Sequence, residues 1–174
     1  MISIEELAGV VDVLGITNED ELYAIFKELI FSRKCKIPSR KKVKEVIRSA
    51  IKEHWIEAVH GSELIVGPCA FPEVPDDLSE VIDILKIDVN RKIEWDEVAS
   101  AKIAELKSEV ETFSKIIDDQ GGREASKKQI IELESEYQHL MGLCYDFEFW
   151  LTTDFTMIKA ELRTLSQKLE SLKI

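Results

Sequence analysis

From Ile103 to Leu172 the apolar residues return at intervals of three and four, and this rhythm constrains the fold more than any other feature of the chain. Ile103, Leu106, Val110, Phe113 and Ile117 form one run, and Ile130, Leu133, Tyr137, Leu140, Cys144, Phe147 and Leu151 form a second. Such spacing puts all members of a run on one side of an α-helix, the seam of a helical hairpin or coiled coil. The stretch DDQGGR, residues 118–123, separates the runs with two adjacent glycines and predicts a helix–helix turn. After Leu151 a step of four to Phe155 shifts the frame, and Ile158, Leu162, Leu165, Leu169 and Leu172 continue it. Either one helix crosses a stutter there, or Thr152-Thr153-Asp154 ends it and caps another. The near-continuity of the stripe favours a single helix, on the order of 60 Å long. A helix of that length overhangs the one before it, and a second copy of the chain is the simplest cover. The expected homodimer interface is therefore Tyr137, Leu140, Phe147, Leu151, Phe155, Ile158, Leu162, Leu165 and Leu169. Phe149 and Trp150 lie off that seam, placed to meet a third helix or a partner.

The first half is built differently. Ser3 followed by Glu6 has the form of a capping box, and Leu7, Val10, Val11 and Leu14 recur at helical spacing up to Gly15. Thr17 is the expected cap of a second helix, striped by Leu22, Ile25, Phe26, Leu29 and Ile30 and ending near Phe31. Pro38-Ser39 punctuates the chain, with Ser39 as cap of a third helix from Arg40 to about His54. Two β-prone runs, WIEAV and ELIVGP, then flank His60-Gly61-Ser62 and read as a hairpin. The three prolines of GPCAFPEVPD make a rigid connector, and a short helix from about Asp77 to Leu85 follows. The expected division is 1–75 as the first domain, 76–93 as a connector with its short helix, and 94–174 as the helical hairpin.

Charge is sharply segregated. The chain has a formal net charge of −11, yet residues 33–52 hold nine basic residues against one acid, Glu45. The next segment, 53–85, holds eight acids and no Lys or Arg. At 100° per residue Val43, Val46, Ile47, Ala50 and His54 fall on one side of the third helix. Lys41, Lys44, Arg48 and Lys52 fall together on the other. Such a helix could lie along a DNA groove, with Arg48 on a guanine edge and the lysines on phosphates. Ser39, Arg40 and the amides at the helix start could hold a phosphate oxygen at the positive end of the helix dipole. A solvated helix face would look the same in composition. Against DNA stands the hairpin, which carries Glu57 and Glu63 and no Lys or Arg, and the acidic run could itself fold onto the patch.

Chemistry of other kinds has no motif here. Phosphate-cradling glycine loops, G-x-S-x-G and H-E-x-x-H are absent. Cys35, Cys69, His54 and His60 lack the pair spacings of a metal site, and buried thiols are the better reading. No catalytic residue, metal ligand or cofactor is assigned, and no enzyme is expected. Three widely spaced cysteines suggest reduced thiols, and the acidic start MISIEELAGVVDVLG does not read as a secretory signal. No run of about 18 apolar residues exists to span a membrane. A cytoplasmic location is the expectation.

Two stretches, ELAGVVDVLG at 6–15 and GPCAFPEVP at 67–75, resemble an uncharacterised domain family of archaeal, chiefly haloarchaeal, proteins. The resemblance covers roughly residues 3–90 and implies an archaeal, cytoplasmic protein, with no functional residue to carry over. By element order the same half is similar to the winged helix-turn-helix domains of archaeal transcription regulators. The expected fold is mainly α: three helices and a β-hairpin, followed by long helices. The leading expectation is a winged-helix transcription regulator that binds double-stranded DNA and dimerises through its C-terminal helices. The alternative is a non-enzymatic interaction protein.

Overall fold

The computed structural model describes residues 2–59, 61–89, 91–120 and 126–172. They form seven helices and one small antiparallel sheet, so the fold is mainly α. Two compact units divide the chain at Glu94 and Trp95. Among the described residues no helix is long and apolar enough to cross a membrane.

The first unit opens with α1, Ile4–Leu14, whose start is held by Ser3 Oγ accepting from the Glu6 amide at 3.0 Å. The reciprocal half of the expected capping box is not made. The Glu6 carboxylate instead meets Arg33 at 2.6 Å. Gly15, at φ 74°, ends the helix as its position predicts. Thr17 is not the next cap. It is buried in a two-residue strand, β1 (Thr17–Asn18), and its hydroxyl donates to Glu21. Asn18 caps α2 (Glu19–Ser32), its side-chain oxygen accepting from the amides of Asp20 and Glu21.

Ser39 caps α3, Arg40–Lys52, by accepting from the Lys42 amide. The helix stops two residues short of His54, which takes a left-handed φ of 56°. Strands β2 (Ile56–Val59) and β3 (Glu63–Val66) form the expected hairpin; His60 of its turn lies outside the described residues. The third strand is β1, which pairs antiparallel with β3 through Thr17↔Leu64 to give the order β1-β3-β2. Three helices, the second and third leading into a hairpin whose inner strand pairs with a short strand between the first two, make the winged helix-turn-helix arrangement. Leu7, Val10, Leu14, Leu22, Phe26, Val43, Ile47, Ile56 and Leu64 meet in one core. Residues 76–93 carry α4, Leu78–Leu85, which buries Leu78 and Val81 in that same core.

In the second unit α5 (Trp95–Gln120), α6 (Lys127–Leu151) and α7 (Thr156–Ser171) pack pairwise on one another. The predicted break after Gln120 has its glycines at 121 and 122, outside the described residues. Beyond them Ser126 and Gln129 form a full capping box for α6. The expected single helix across 151–155 is replaced by a turn. Thr152 adopts φ 49° and ψ 38°, Thr153 donates its hydroxyl to the Leu151 carbonyl, and Asp154 accepts from the Thr156 amide at 2.8 Å. The hydroxyl and amide of Thr156 hold the Asp154 carboxyl below its ordinary range. Local side-chain hydrogen bonds thus win over a stripe that would have allowed the helix to continue.

The turn folds α7 back, and the seam closes within the chain. Leu140, Phe147, Leu151, Phe155, Ile158, Leu162, Leu165 and Leu169 are buried, and Tyr137 is half-buried. They face Leu106, Val110, Phe113 and Ile117 of α5, which are equally buried. The overhang that called for a second copy therefore does not arise. Trp150 meets Trp95 edge-on with ring centroids 5.6 Å apart.

Candidate nucleic-acid interface

Helix α3 positions the basic patch by burying Val43, Ile47 and Ala50 and half-burying Val46, so its opposite side must face solvent. The cations predicted there divide into two groups. Arg40 reaches Asp20 of α2 at 2.7 Å, and its guanidinium lies 5.2 Å from the centre of the Tyr23 ring. Lys44 meets Glu19 of α2 at 2.7 Å. These two are drawn toward the first turn of α2. Lys41, Arg48 and Lys52 are exposed, and none of them forms an ion pair among the described residues. They lie almost directly opposite the buried side and span about 16 Å of helix at 1.5 Å per residue. Ser39 is exposed, with its hydroxyl committed to the cap.

The acidic run 53–85 does not cover this face. Among the described residues no ion pair joins it to residues 33–52. Its Glu57 is buried and bonded to His54 Nδ1 at 2.7 Å, and Asp77 accepts from Ser32. The acids that take up Arg40 and Lys44 are Asp20 and Glu19, which sequence reasoning counted only in the bulk charge. The signal was present: Glu19, Asp20 and Glu21 open α2, where carboxylates suit the helix dipole. Sequence reasoning also passed over Arg91. It grips both oxygens of Glu21, at 2.6 and 2.5 Å, and donates to the Ile16 carbonyl.

Among the described residues no group of three His, Cys, Asp or Glu is placed to hold a metal ion. Cys35 is exposed and Cys69 half-buried, whereas Cys144 is buried, its thiol pushed up by burial and by Glu148.

What the patch offers, among the described residues, is a line of three cations without ion pairs on a helix that follows α2, beside a hairpin without Lys or Arg. The model of DUF7109, a family of unknown function, matches residues 5–167. The chain belongs to this family. A DUF7109 match of that extent takes in most of both compact units. The stretches at 6–15 and 67–75 both fall inside the DUF7109 match. No curated protein and no solved structure matches the chain.

Proposed function

We propose that this protein binds duplex DNA through α3 and serves as a transcription regulator. The observation that carries the reading is the row Lys41, Arg48 and Lys52, exposed and unpaired on the face of α3 opposite its core. A helix with that face can enter a major groove, where Arg48 would read a guanine edge and the two lysines would meet phosphates. The charge is local. At moderate salt, fields from distant carboxylates are screened beyond roughly 10 Å, so a net charge of −11 does not forbid the contact.

A second reading takes the same face as the dock for an acidic protein surface. Asp20 and Glu19 already seat carboxylates on Arg40 and Lys44, which supports it. Fluorescence anisotropy with labelled duplexes separates the two. Under the DNA reading, binding weakens steeply as salt rises, because each phosphate contact releases counterions. Lys41→Glu with Arg48→Glu abolishes it without changing the circular dichroism. Absence of binding at low salt to random and genomic duplexes alike would overturn the DNA reading.

A further inference from the structure

The outer face of α6 carries a second repeat that the packing of the chain does not use. Ile131, Ser135, Gln138, Gly142, Tyr145 and Phe149 follow one another at steps of four, three, four, three and four. That is the interval of a helix-packing seam. The first seam of α6 is buried from Leu140 to Leu151, but here Ile131 is 64% exposed, Tyr145 53% and Phe149 87%. Ser135, Gln138 and Gly142 between them are exposed as well. Gly142 sits near the middle of the stripe, and a Cβ added there would meet nothing within 4 Å. Glycine weakens a helix interior, and among the described residues no neighbour requires one here. It leaves room for another backbone to come close.

The charge around the stripe selects the occupant. Between Gln129 and Leu151, α6 holds the acids Glu132, Glu134, Glu136, Asp146 and Glu148 and no Lys or Arg. At 100° per residue Glu132 and Asp146 flank the stripe on one side, and Glu134 and Glu148 on the other. A second copy laid against this face would bring carboxylates onto carboxylates in either direction, which is unfavourable. A basic helix would find a carboxylate on both flanks. Cations already at this face show the preference: Lys128 of α6 lies 3.7 Å from Glu132, and Lys159 from α7 bonds Glu148 at 2.6 Å and lies 5.8 Å from the centre of the Tyr145 ring.

We infer that this face of α6 docks an amphipathic helix of another protein, one whose apolar stripe is flanked by lysine or arginine. The inference is independent of DNA binding, since it concerns residues of the second unit only.

The probe is a labelled synthetic peptide of about three heptads, with leucine at the seam positions and lysine on both flanks. A control peptide carries glutamate in place of lysine. With the full chain, anisotropy is expected to show binding of the lysine peptide and none of the glutamate peptide. Tyr145→Ser with Phe149→Ser keeps the charge and removes the aromatic stripe, and should weaken binding by at least about tenfold. Gly142→Gln fills the gap with a helix-forming side chain in open space, and should weaken it likewise while circular dichroism stays unchanged. Equal binding of both peptides would overturn the inference, as would a lysine peptide that binds the double variant as well as the parent. It would also be overturned by a dimeric mass in light scattering that Phe149→Ser converts to a monomer, since a second copy would then occupy the face.

Discussion

Gly9, in the middle of α1, lies against the main chain of Glu73: a Cβ at Gly9 would stand 2.2 Å from the Glu73 carbonyl oxygen and 2.8 Å from the Val74 amide nitrogen. The amide of Glu73 donates to the Glu5 carbonyl at 3.0 Å, fixing the approach. The first partner belongs to ELAGVVDVLG and the second to GPCAFPEVP. Two stretches far apart in the chain are thus one contact, with the prolines stiffening one side and a glycine opening the other.

Gly9→Ala is therefore expected to destabilise the fold by about 1–3 kcal/mol, the cost of forcing a methyl group into a packed site. Gly142→Ala, also inside a helix but in open space, should stabilise by about 0.5–1 kcal/mol, because alanine is the better helix former. Urea denaturation of the two variants tests the pair. Equal signs would contradict the packing around Gly9.

How far these features can be read in the chain depends on how local they are. Spacings of three and four place the helices, and the cap at Ser39 and the stop at Gly15 follow from their own side chains and backbone. β1 is two residues long, too short for any periodicity, and its existence depends on β3 some 45 residues away. The break at Thr152 is concealed because the stripe runs through it nearly in phase. The line of Lys41, Arg48 and Lys52 is visible from helical geometry alone. That Lys44 belongs to Glu19 and Arg40 to Asp20 is a tertiary fact, set by how α2 and α3 cross.

Thr152 is a β-branched residue at φ 49°, where a left-handed backbone costs roughly 1–2 kcal/mol for an L side chain. Thr152→Gly removes that cost and should raise the melting temperature by about 2–4 °C, as a gain of roughly 1 kcal/mol does for a chain of this size. In an unbroken helix the same change would instead lower stability, by about 0.3 kcal/mol, because glycine is a poorer helix former than threonine. The sign of the shift reports directly on the turn between α6 and α7.

Arg91 holds the Glu21 carboxyl below its ordinary value of 4.5, chiefly by its hydrogen bonds. A carboxyl depressed in the folded state contributes stability above its unfolded pKa and loses it as pH falls through the folded value. Arg91→Ala should accordingly cost about 1–2 kcal/mol at pH 7, a charged hydrogen-bonded pair being lost while both groups stay partly solvated. The gap between parent and variant should narrow below about pH 4.5, where Glu21 is protonated when unfolded. Amide exchange in β1 and α2 at pH 7 and in acid measures it. A gap independent of pH would exclude the ion pair as its source.

Maleimide should label the cysteines in order of access. Cys35 is exposed and should react first, and Cys144, buried and with its thiol pushed up, last. Mass spectrometry of timed samples should show Cys144 modified only at the rate at which the three-helix unit opens, and faster in urea. Rapid labelling of Cys144 in the native protein would mean that α6 and α7 separate readily.

The pairs Lys44–Glu19 and Arg40–Asp20 make a sharper test of the α3 interface than deleting its cations. Both are surface pairs, worth about 0–1 kcal/mol to the fold, so their carboxylates can be neutralised at little cost. Glu19→Gln with Asp20→Asn would free Lys44 and Arg40 beside Lys41, Arg48 and Lys52. If α3 lies on duplex DNA, affinity should rise, and each new phosphate contact should steepen the salt dependence by about 0.9 in log K against log salt. The net charge changes by the same amount in Glu136→Gln with Glu170→Gln, made on exposed positions of α6 and α7. That control should leave the slope unaltered, because its groups make no contact with the duplex. An equal effect from both variants would reduce the interaction to bulk charge, and no effect from the first would remove α3 from the interface.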